Sequence, residues 1–208
     1  LDPLKTPQQN AAALYKEYNK LKAAEQHLTG LIADGEHSLD YLNSVLDELE
    51  RAETERDISD IRRELIDTGY LRRAKGGKPE RIKAQAPYRF VTDDGFEVLV
   101  GRSNAQNDEL TCRLARRTDM WLHTQHVHGS HVIIRCEGED VPPRTLEQAA
   151  SLAAYYSQGR TAGKVPVDYT MVRNVRKPSG ALPGKVIYTE YKTILAEADE
   201  ELATRLKK

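Results

Sequence analysis

The first fifty residues carry apolar side chains at the spacing of a coiled-coil helix. From Leu14 onward, the apolar positions step by four and by three residues in turn, interrupted at Glu25 and Gly35. Just upstream, residues 6–9 (Thr-Pro-Gln-Gln) have the pattern of a helix-capping box, which predicts that the helix begins there. We call the apolar members of this repeat the heptad seam: Leu14, Tyr18, Leu21, Leu28, Ile32, Leu39, Leu42, Leu46 and Leu49.

This heptad seam needs a partner helix. A helix of about 45 residues is roughly 65–70 Å long, and the second predicted helix, residues 54–68 with Gly69 as its stop, is too short to cover it. The partner is therefore absent from this chain or is a second copy of it, and we predict self-association through residues 14–49. The alternative is a helix that breaks at Gly35 and folds back as a hairpin.

After residue 74 the pattern changes to short strands. A linker rich in glycine, proline and basic residues is predicted at 74–87. Helices are predicted at 107–116 and, capped by Thr145, after the Pro142-Pro143 pair. The predicted class is α+β: a long coiled-coil helix followed by a mixed, largely antiparallel sheet domain with a few helices. The predicted strands are 88–92, 96–101, 121–125, 131–136, 169–175, 185–189 and 193–195, and the predicted domains are 1–73, 74–87 and 88–208.

Charge divides the chain into an acidic arm and a basic body. The net charge of -1 over 208 residues combines -5 in residues 1–74, +5 in residues 75–192 and -1 in residues 193–208, so a polyanion would bind the body. No apolar run approaches the ~18 residues of a membrane helix, and no signal region is present. We therefore expect a cytoplasmic protein without membrane contact. Because the chain opens with Leu1 rather than methionine, we expect a fragment of a longer protein.

The candidate catalytic and metal-binding residues do not have the spacing of a known catalytic or metal-binding motif. Cys112 and Cys136 are too few for a disulfide scaffold or a four-cysteine zinc site. His123 and His131 are expected to face each other across a hairpin. For this pair, packing, hydrogen bonding or RNA contact is favoured over a metal site. Ser130 lies in Gly-Ser-His rather than in a G-x-S-x-G elbow, and no phosphate loop or dinucleotide fingerprint occurs. We therefore predict no cofactor, no metal and no enzyme activity.

Several ordered motifs resemble the RNA-binding domain of the NFACT family of ribosome-associated quality-control factors. They are Val-Gly-Arg-Ser-Asn-Ala-Gln-Asn-Asp at 100–108, Asp-Met-Trp-Leu-His at 119–123, Gly-Ser-His at 129–131, Val-Pro-Val-Asp-Tyr-Thr at 165–170 and Pro-Gly-Lys-Val-Ile-Tyr at 183–188. Upstream, residues 1–71 are similar to the second arm of the family's coiled coil. One departure is His128, where the family usually has proline.

The resemblance implies a role on the ribosome. It implies binding to the large ribosomal subunit, through rRNA and a stalk-base protein, when that subunit carries a stalled nascent chain. It also implies recruitment of tRNA for untemplated C-terminal alanine tailing, and pairing of the arm with a missing N-terminal half of the same protein. Peptide-bond chemistry would belong to the ribosome, so the chain is expected to be a binding module. The alternative is a surface adhesin that binds fibronectin, as the family's older name says, and a histidine-dependent hydrolase has the least support.

The predicted RNA contacts combine basic residues with motif residues. Arg102, Asn104, Asn107 and Asp108 are expected in a loop that enters a helix, where free backbone N–H groups favour a phosphate. The asparagines and the aspartate can equally cap that helix, and Trp121 and His131 are expected to be partly structural. The full predicted set is Arg102, Asn104, Asn107, Asp108, Arg116, Asp119, Trp121, His123, Gly129, Ser130, His131, Lys164, Arg173 and Lys177.

Overall fold

The structure is a computed structural model that describes residues 1–73 and 85–208. The chain falls into two compact units, Leu1–Leu42 and Asn43–Lys208. The second unit contains residues 43–73, which the sequence prediction had grouped with the arm. Most of the predicted linker, residues 74–84, lies outside the described residues.

The long helix α1 spans Pro7–Glu50. The predicted capping box is confirmed, because the Thr6 backbone N–H donates to Gln9 Oε1 (2.9 Å) and the Gln9 N–H donates to Thr6 Oγ1 (3.3 Å). The helix continues through Gly35, so the fold-back alternative is wrong. One glycine costs a helix only about 1 kcal/mol relative to alanine, which the helix-forming residues on either side offset.

All nine members of the heptad seam face solvent, with exposures between 39% and 61%. None of the described residues covers them, as the sequence analysis expected. No helix within residues 1–73 and 85–208 is both long enough and apolar enough to cross a membrane.

The body is built on a six-stranded antiparallel sheet, which confirms the predicted α+β class. The strands are β1 (Tyr88–Val91), β2 (Glu97–Val100), β3 (Met120–Thr124), β4 (Val132–Arg135), β5 (Lys164–Met171), β6 (Val175–Arg176), β7 (Ile187–Tyr188) and β8 (Lys192–Glu197). Their order in the sheet is β1-β2-β4-β3-β5-β8, and β6 and β7 form a separate hairpin. The 93–95 turn joins β1 to β2 as predicted.

The helices begin at other residues than predicted in two places. The predicted 107–116 helix is α3 (Asn104–Glu109) continued by a π-helical turn (Leu110–Leu114), because Ser103 caps it by accepting from the Gln106 N–H. Thr145 is not a cap, since Pro143 is the first residue of α4 (Pro143–Tyr155). Helices α2 (Glu55–Asp67) and α5 (Glu200–Leu206) complete the set, with 3-10 turns at Gln158–Thr161 and Val172–Asn174.

The two faces of the sheet have different coverings. On one face, α4 and α5 pack over the larger core, which includes Phe90, Leu122 and Val167. On the other, Leu99, Trp121 and Ile133 pack against residues of the π-helical turn, the second 3-10 turn and the β6–β7 hairpin. We call this other side the second face, and the motif residues of the sequence converge on it.

Candidate nucleic-acid interface

A row of polar side chains crosses the second face. His123 on β3 is opposite Asp168 on β5, and Asp168 is opposite Thr193 on β8. Thr193 Oγ1 and the Tyr188 hydroxyl donate to the two carboxylate oxygens of Asp168 (2.6 and 2.7 Å). His131, just before β4, completes the row with its ring 5.5 Å from that of His123. The predicted facing of the two histidines across a hairpin is therefore correct.

Both histidines of this row are neutral. Burial lowers the pKa of His131 to about 3, helped by the neighbouring His123. Burial also lowers the pKa of His123 to about 4, although the backbone of Gly129 and Thr124 partly opposes the shift. Since an uncharged imidazole is both donor and acceptor, the pair can hydrogen-bond but does not attract phosphate.

His131 is held in place through both its ring and its backbone. Its Nδ1 lies 2.7 Å from Thr111 Oγ1, and its backbone N–H donates to Asn107 Oδ1 (3.0 Å). Asn107 and His131 are both buried. These two predicted contact residues therefore hold α3 onto the sheet.

Trp121 is fully buried, which agrees with the expectation that this residue is partly structural. Its ring stacks on His123 at 5.8 Å and packs against Tyr188 at 4.8 Å. Its Nε1–H finds no hydrogen-bond partner among the described residues. Trp121 therefore packs beneath the second face, and its ring is not accessible to solvent.

Arg102 is engaged inside the protein. Its guanidinium forms a bidentate pair with Asp57 (Nε to Oδ1 and Nη2 to Oδ2, both 2.8 Å) and lies 4.0 Å from the ring centre of Tyr88. Its side chain is only 13% exposed. Burial raises the pKa of Asp57, but hydrogen bonds from Thr54 and Arg102 outweigh that and hold it below its usual value. Arg102 thus attaches α2 to the sheet domain.

The start of α3 does not present free N–H groups to a ligand. The Ala105 N–H donates to a carboxylate oxygen of Glu64 on α2 (2.9 Å), and the Gln106 N–H donates to Ser103 Oγ (3.2 Å). The expectation of a phosphate site at this helix start is wrong, because the protein's own carboxylate already occupies it.

Neighbouring motif residues also hold internal segments together. Asn104 donates to Ser44 Oγ (2.8 Å). Asp108 pairs with Lys177 and accepts from the Gly184 N–H (3.1 Å). Gly184 has φ +79, and a Cβ there would lie 2.4 Å from Asn104 Oδ1, so a larger residue would displace this loop from α3.

The Gly-Ser-His motif is likewise structural. A Cβ at Gly129 would lie 2.8 Å from Ser157 Cβ, so the two backbones can approach closely only with glycine. Ser130 is buried and accepts from Arg51 Nη1 (3.1 Å), and Arg51 also pairs with Asp47 (2.7 Å). This motif connects the end of α1 to the sheet domain.

Asp119 and Arg116 form the corner before β3. Asp119 is fully buried and accepts from the backbone N–H groups of Arg116 (2.8 Å) and Glu137 (3.3 Å). The Arg116 side chain is exposed but pairs with Glu137 (2.5 Å).

Besides Arg116, four exposed arginines near this corner form no ion pair with the described residues. They come from two segments that meet where the Arg173 N–H donates to the Arg117 carbonyl (3.2 Å). Because no carboxylate of the described residues forms an ion pair with them, their charges are available to attract a polyanion. We call Arg113, Arg117, Arg173 and Arg176 the arginine patch.

The sequence prediction placed only one patch member, Arg173, in its contact set. The adjacent basic pairs 116–117 and 176–177 beside strand ends were the available signal for Arg117 and Arg176. Lys164 is exposed at the opposite end of β5, about 23 Å from the Met171 end at ~3.3 Å per residue. It therefore lies outside the arginine patch.

Within residues 1–73 and 85–208, no three His, Cys, Asp or Glu side chains are grouped so that they could hold a metal ion. Cys112 and Cys136 are free thiols, and burial raises the pKa of both.

Comparison with known proteins finds two family matches that together span nearly the whole chain. Residues 1–84 match the family described as NFACT N-terminal and middle domains. Residues 86–189 match the NFACT protein RNA binding domain.

Similar full-length proteins and a solved structure agree with these matches. The Rqc2 homolog RqcH of Bacillus subtilis is 39% identical over the whole chain, and its counterpart from Streptococcus pneumoniae is 41% identical. The chain spans 36% and 37% of these two relatives. The C-terminal part of the fibronectin/fibrinogen-binding protein from Streptococcus suis is 38% identical, with a TM-score of 0.89 over 99% of this chain and 82% of that one.

Proposed function

Since the chain belongs to the NFACT family, we propose that it is the arm and RNA-binding module of a ribosome-associated quality-control factor. The module binds tRNA and the large ribosomal subunit, and the whole protein uses it to rescue stalled ribosomes and to support alanine tailing of nascent chains. The observation that carries the proposal is the unpaired arginine patch, which lies within the part of the chain that matches an RNA-binding domain.

The proposed role is binding rather than catalysis. Ser130, the candidate nucleophile, is buried and hydrogen-bonded to Arg51. His131 is occupied by Thr111, and its pKa of about 3 keeps it neutral. These groups support the fold, so neither Ser130 nor His131 is accessible as a nucleophile or a base.

We expect the arginine patch to set the salt dependence of tRNA binding. Each phosphate contact that is lost reduces the slope of log K against log salt by about 0.7–0.9. Arg117→Ala with Arg173→Ala should therefore weaken binding and reduce that slope by roughly 1.4–1.8, measured by fluorescence anisotropy with labelled tRNA over a salt series.

The matched control removes two exposed arginines of α2, through Arg56→Ala with Arg62→Ala. The control loses the same charge elsewhere, so its slope should stay close to wild type. Equal slopes in both double variants would place the RNA surface away from the arginine patch.

A second candidate function is binding of fibronectin, because the solved structure of similar fold is named for fibronectin and fibrinogen. Immobilised fibronectin and labelled tRNA, offered to the same preparation over the same salt series, separate the two. Saturable fibronectin binding that the arginine-patch variant leaves unchanged would favour the adhesin function.

We also expect the chain to self-associate through the heptad seam when no other helix covers it. Burying one leucine stabilises by ~1.5–3 kcal/mol, and nine seam residues are exposed. Sedimentation equilibrium should show a concentration-dependent dimer that Leu28→Glu with Ile32→Glu abolishes.

The control for this prediction is Ala23→Glu with Ala33→Glu, which adds the same charges outside the heptad seam. This variant should still dimerise. A wild-type chain that is monomeric at every concentration would contradict the prediction.

A further inference from the structure

Tyr191 is an exposed aromatic side chain next to the polar row. It ends the three-residue connection between β7 and β8 and is 48% exposed. The β5–β8 pairing ends at Tyr169 and Lys192, and its continuation by one residue sets Tyr191 opposite Thr170, which is itself paired with Trp121. Tyr191 therefore lies on the second face, beside the buried Trp121–Tyr188 contact.

The turn that carries Tyr191 is tightly held. Glu190 has φ 51, a left-handed conformation that non-glycine residues rarely adopt. Thr170 Oγ1 lies 3.1 Å from the carbonyl oxygens of both Thr189 and Glu190, and it accepts from Asn174 Nδ2 (3.0 Å). Such a conformation persists only where the surroundings over-determine it, so the backbone that leads into Tyr191 is fixed.

The ring of Tyr191 is supported on one side only. It meets Tyr188 at 5.2 Å with the two planes 78° apart. Tyr188 is fixed in turn, by its hydrogen bond to Asp168 and its packing on Trp121. A single ring neighbour covers at most one face of Tyr191, and no other ring contact is made to it within the described residues. With 48% of Tyr191 exposed, part of its ring surface is accessible for stacking.

Positive charge lies next to this ring. The Thr189 N–H donates to the Asn174 carbonyl (3.2 Å), which joins the turn to the segment that carries Arg173. Arg176 lies opposite Ile187 on the β6–β7 hairpin. Exposed Lys185 and Lys192 flank the same region, where the carboxylates are those of Glu190 and of buried Asp168, which accepts from the Tyr188 hydroxyl.

We propose that Tyr191 stacks on an unpaired base of single-stranded or looped RNA whose phosphates are held by the arginine patch. The inference rests on the proposed RNA-binding function and adds the class of RNA. Base–aromatic stacking tolerates any base, but bases inside a duplex are stacked on each other and do not offer a face. Single-stranded RNA is therefore preferred over duplex of equal length.

The test compares a fluorescent oligoadenylate with a blunt RNA duplex of the same length, using the full chain. Tyr191→Ala should weaken single-strand binding about 10-fold, equal to ~1.4 kcal/mol, and leave duplex binding unchanged. Tyr191→Phe should bind both RNAs like wild type, because it keeps the ring. Tyr15→Ala, which removes an exposed tyrosine of α1, is the matched control and should change neither.

A second measurement detects the stacking of a base on Tyr191 directly. A single strand carrying 2-aminopurine should lose fluorescence on binding to wild type and to Tyr191→Phe, but not to Tyr191→Ala. Unchanged single-strand affinity and unchanged quenching in Tyr191→Ala would overturn the inference. So would an equal loss of single-strand and duplex binding.

The arginine-patch variant separates this inference from the proposed function. If Arg117→Ala with Arg173→Ala weakens both RNAs while Tyr191→Ala affects neither, RNA binding stands and the stacking role is wrong. If the wild-type chain binds neither RNA, the proposed function and this inference both fail.

Discussion

Replacing Arg102 by alanine is expected to destabilise the folded body by about 3–5 kcal/mol, the usual cost of breaking a buried ion pair. The reason is that Asp57 would remain, nearly buried and charged, without its bidentate partner. The substitution also removes the guanidinium from the ring of Tyr88. Urea unfolding followed by circular dichroism measures the effect as a lower midpoint.

The control for this prediction is Arg89→Ala, which breaks an exposed pair with Glu97 on neighbouring strands. Exposed pairs contribute about 0–1 kcal/mol, so this variant should unfold close to wild type. If Arg102→Ala kept full stability and instead reduced the salt dependence of tRNA binding, the guanidinium would be a phosphate contact, as the motif first indicated.

The parts of the fold that the sequence predicted are those with local signals. The capping box at residues 6–9 needs no information beyond four residues, and the 93–95 turn needs little more. The facing of His123 and His131 follows from a short hairpin whose strands alternate. In each case the residues that interact are close in sequence, so their pattern alone determines the contact.

The parts that the sequence did not predict depend on contacts between distant residues. Arg102 meets Asp57 across 45 positions, and Glu64 reaches the start of α3 across 41. Because of these contacts, groups that the sequence suggested for phosphate binding instead connect α2 to the sheet domain. Strand β5 begins at Lys164, five residues before the predicted start, and it includes Pro166, a residue that sequence patterns rarely place inside a strand.

Motif residues and unpaired charges lie at different positions in this protein. Six of the fourteen predicted contacts, among them Asn107, Asp119 and Trp121, are buried and support the second face. Charge that is left unpaired in the described structure identifies Arg113, Arg117 and Arg176, which carry no motif. The motif residues thus form the framework of the second face, and less distinctive residues beside them carry the unpaired charge.

The pH dependence of stability is the second large effect expected. The pKa values of His123 and His131, about 4 and about 3, lie below the ordinary 6.5. Between those values and 6.5 the unfolded chain binds more protons than the folded one, so the free energy of unfolding increases with pH. This stabilisation is complete above about pH 6.5 and is lost as the pH falls toward 4. From pH 7 to pH 5 the loss is on the order of 2 kcal/mol for each histidine.

Urea unfolding at pH 5, 6 and 7 tests this prediction with His123→Gln and His131→Asn combined, where the Asn amide can replace Nδ1 at Thr111. The double variant should be less stable at pH 7 but should lose much less stability at pH 5. His27→Asn with His37→Gln, both exposed on α1, should keep the wild-type profile. Glu48 acts in the opposite sense, because burial followed by the charge of Glu64 raises its pKa and favours the folded state at lower pH. Since Glu48 is present in every variant, its contribution cancels in the comparison. If stability fell as steeply with pH in the double variant as in the wild type, His123 and His131 would not control acid stability.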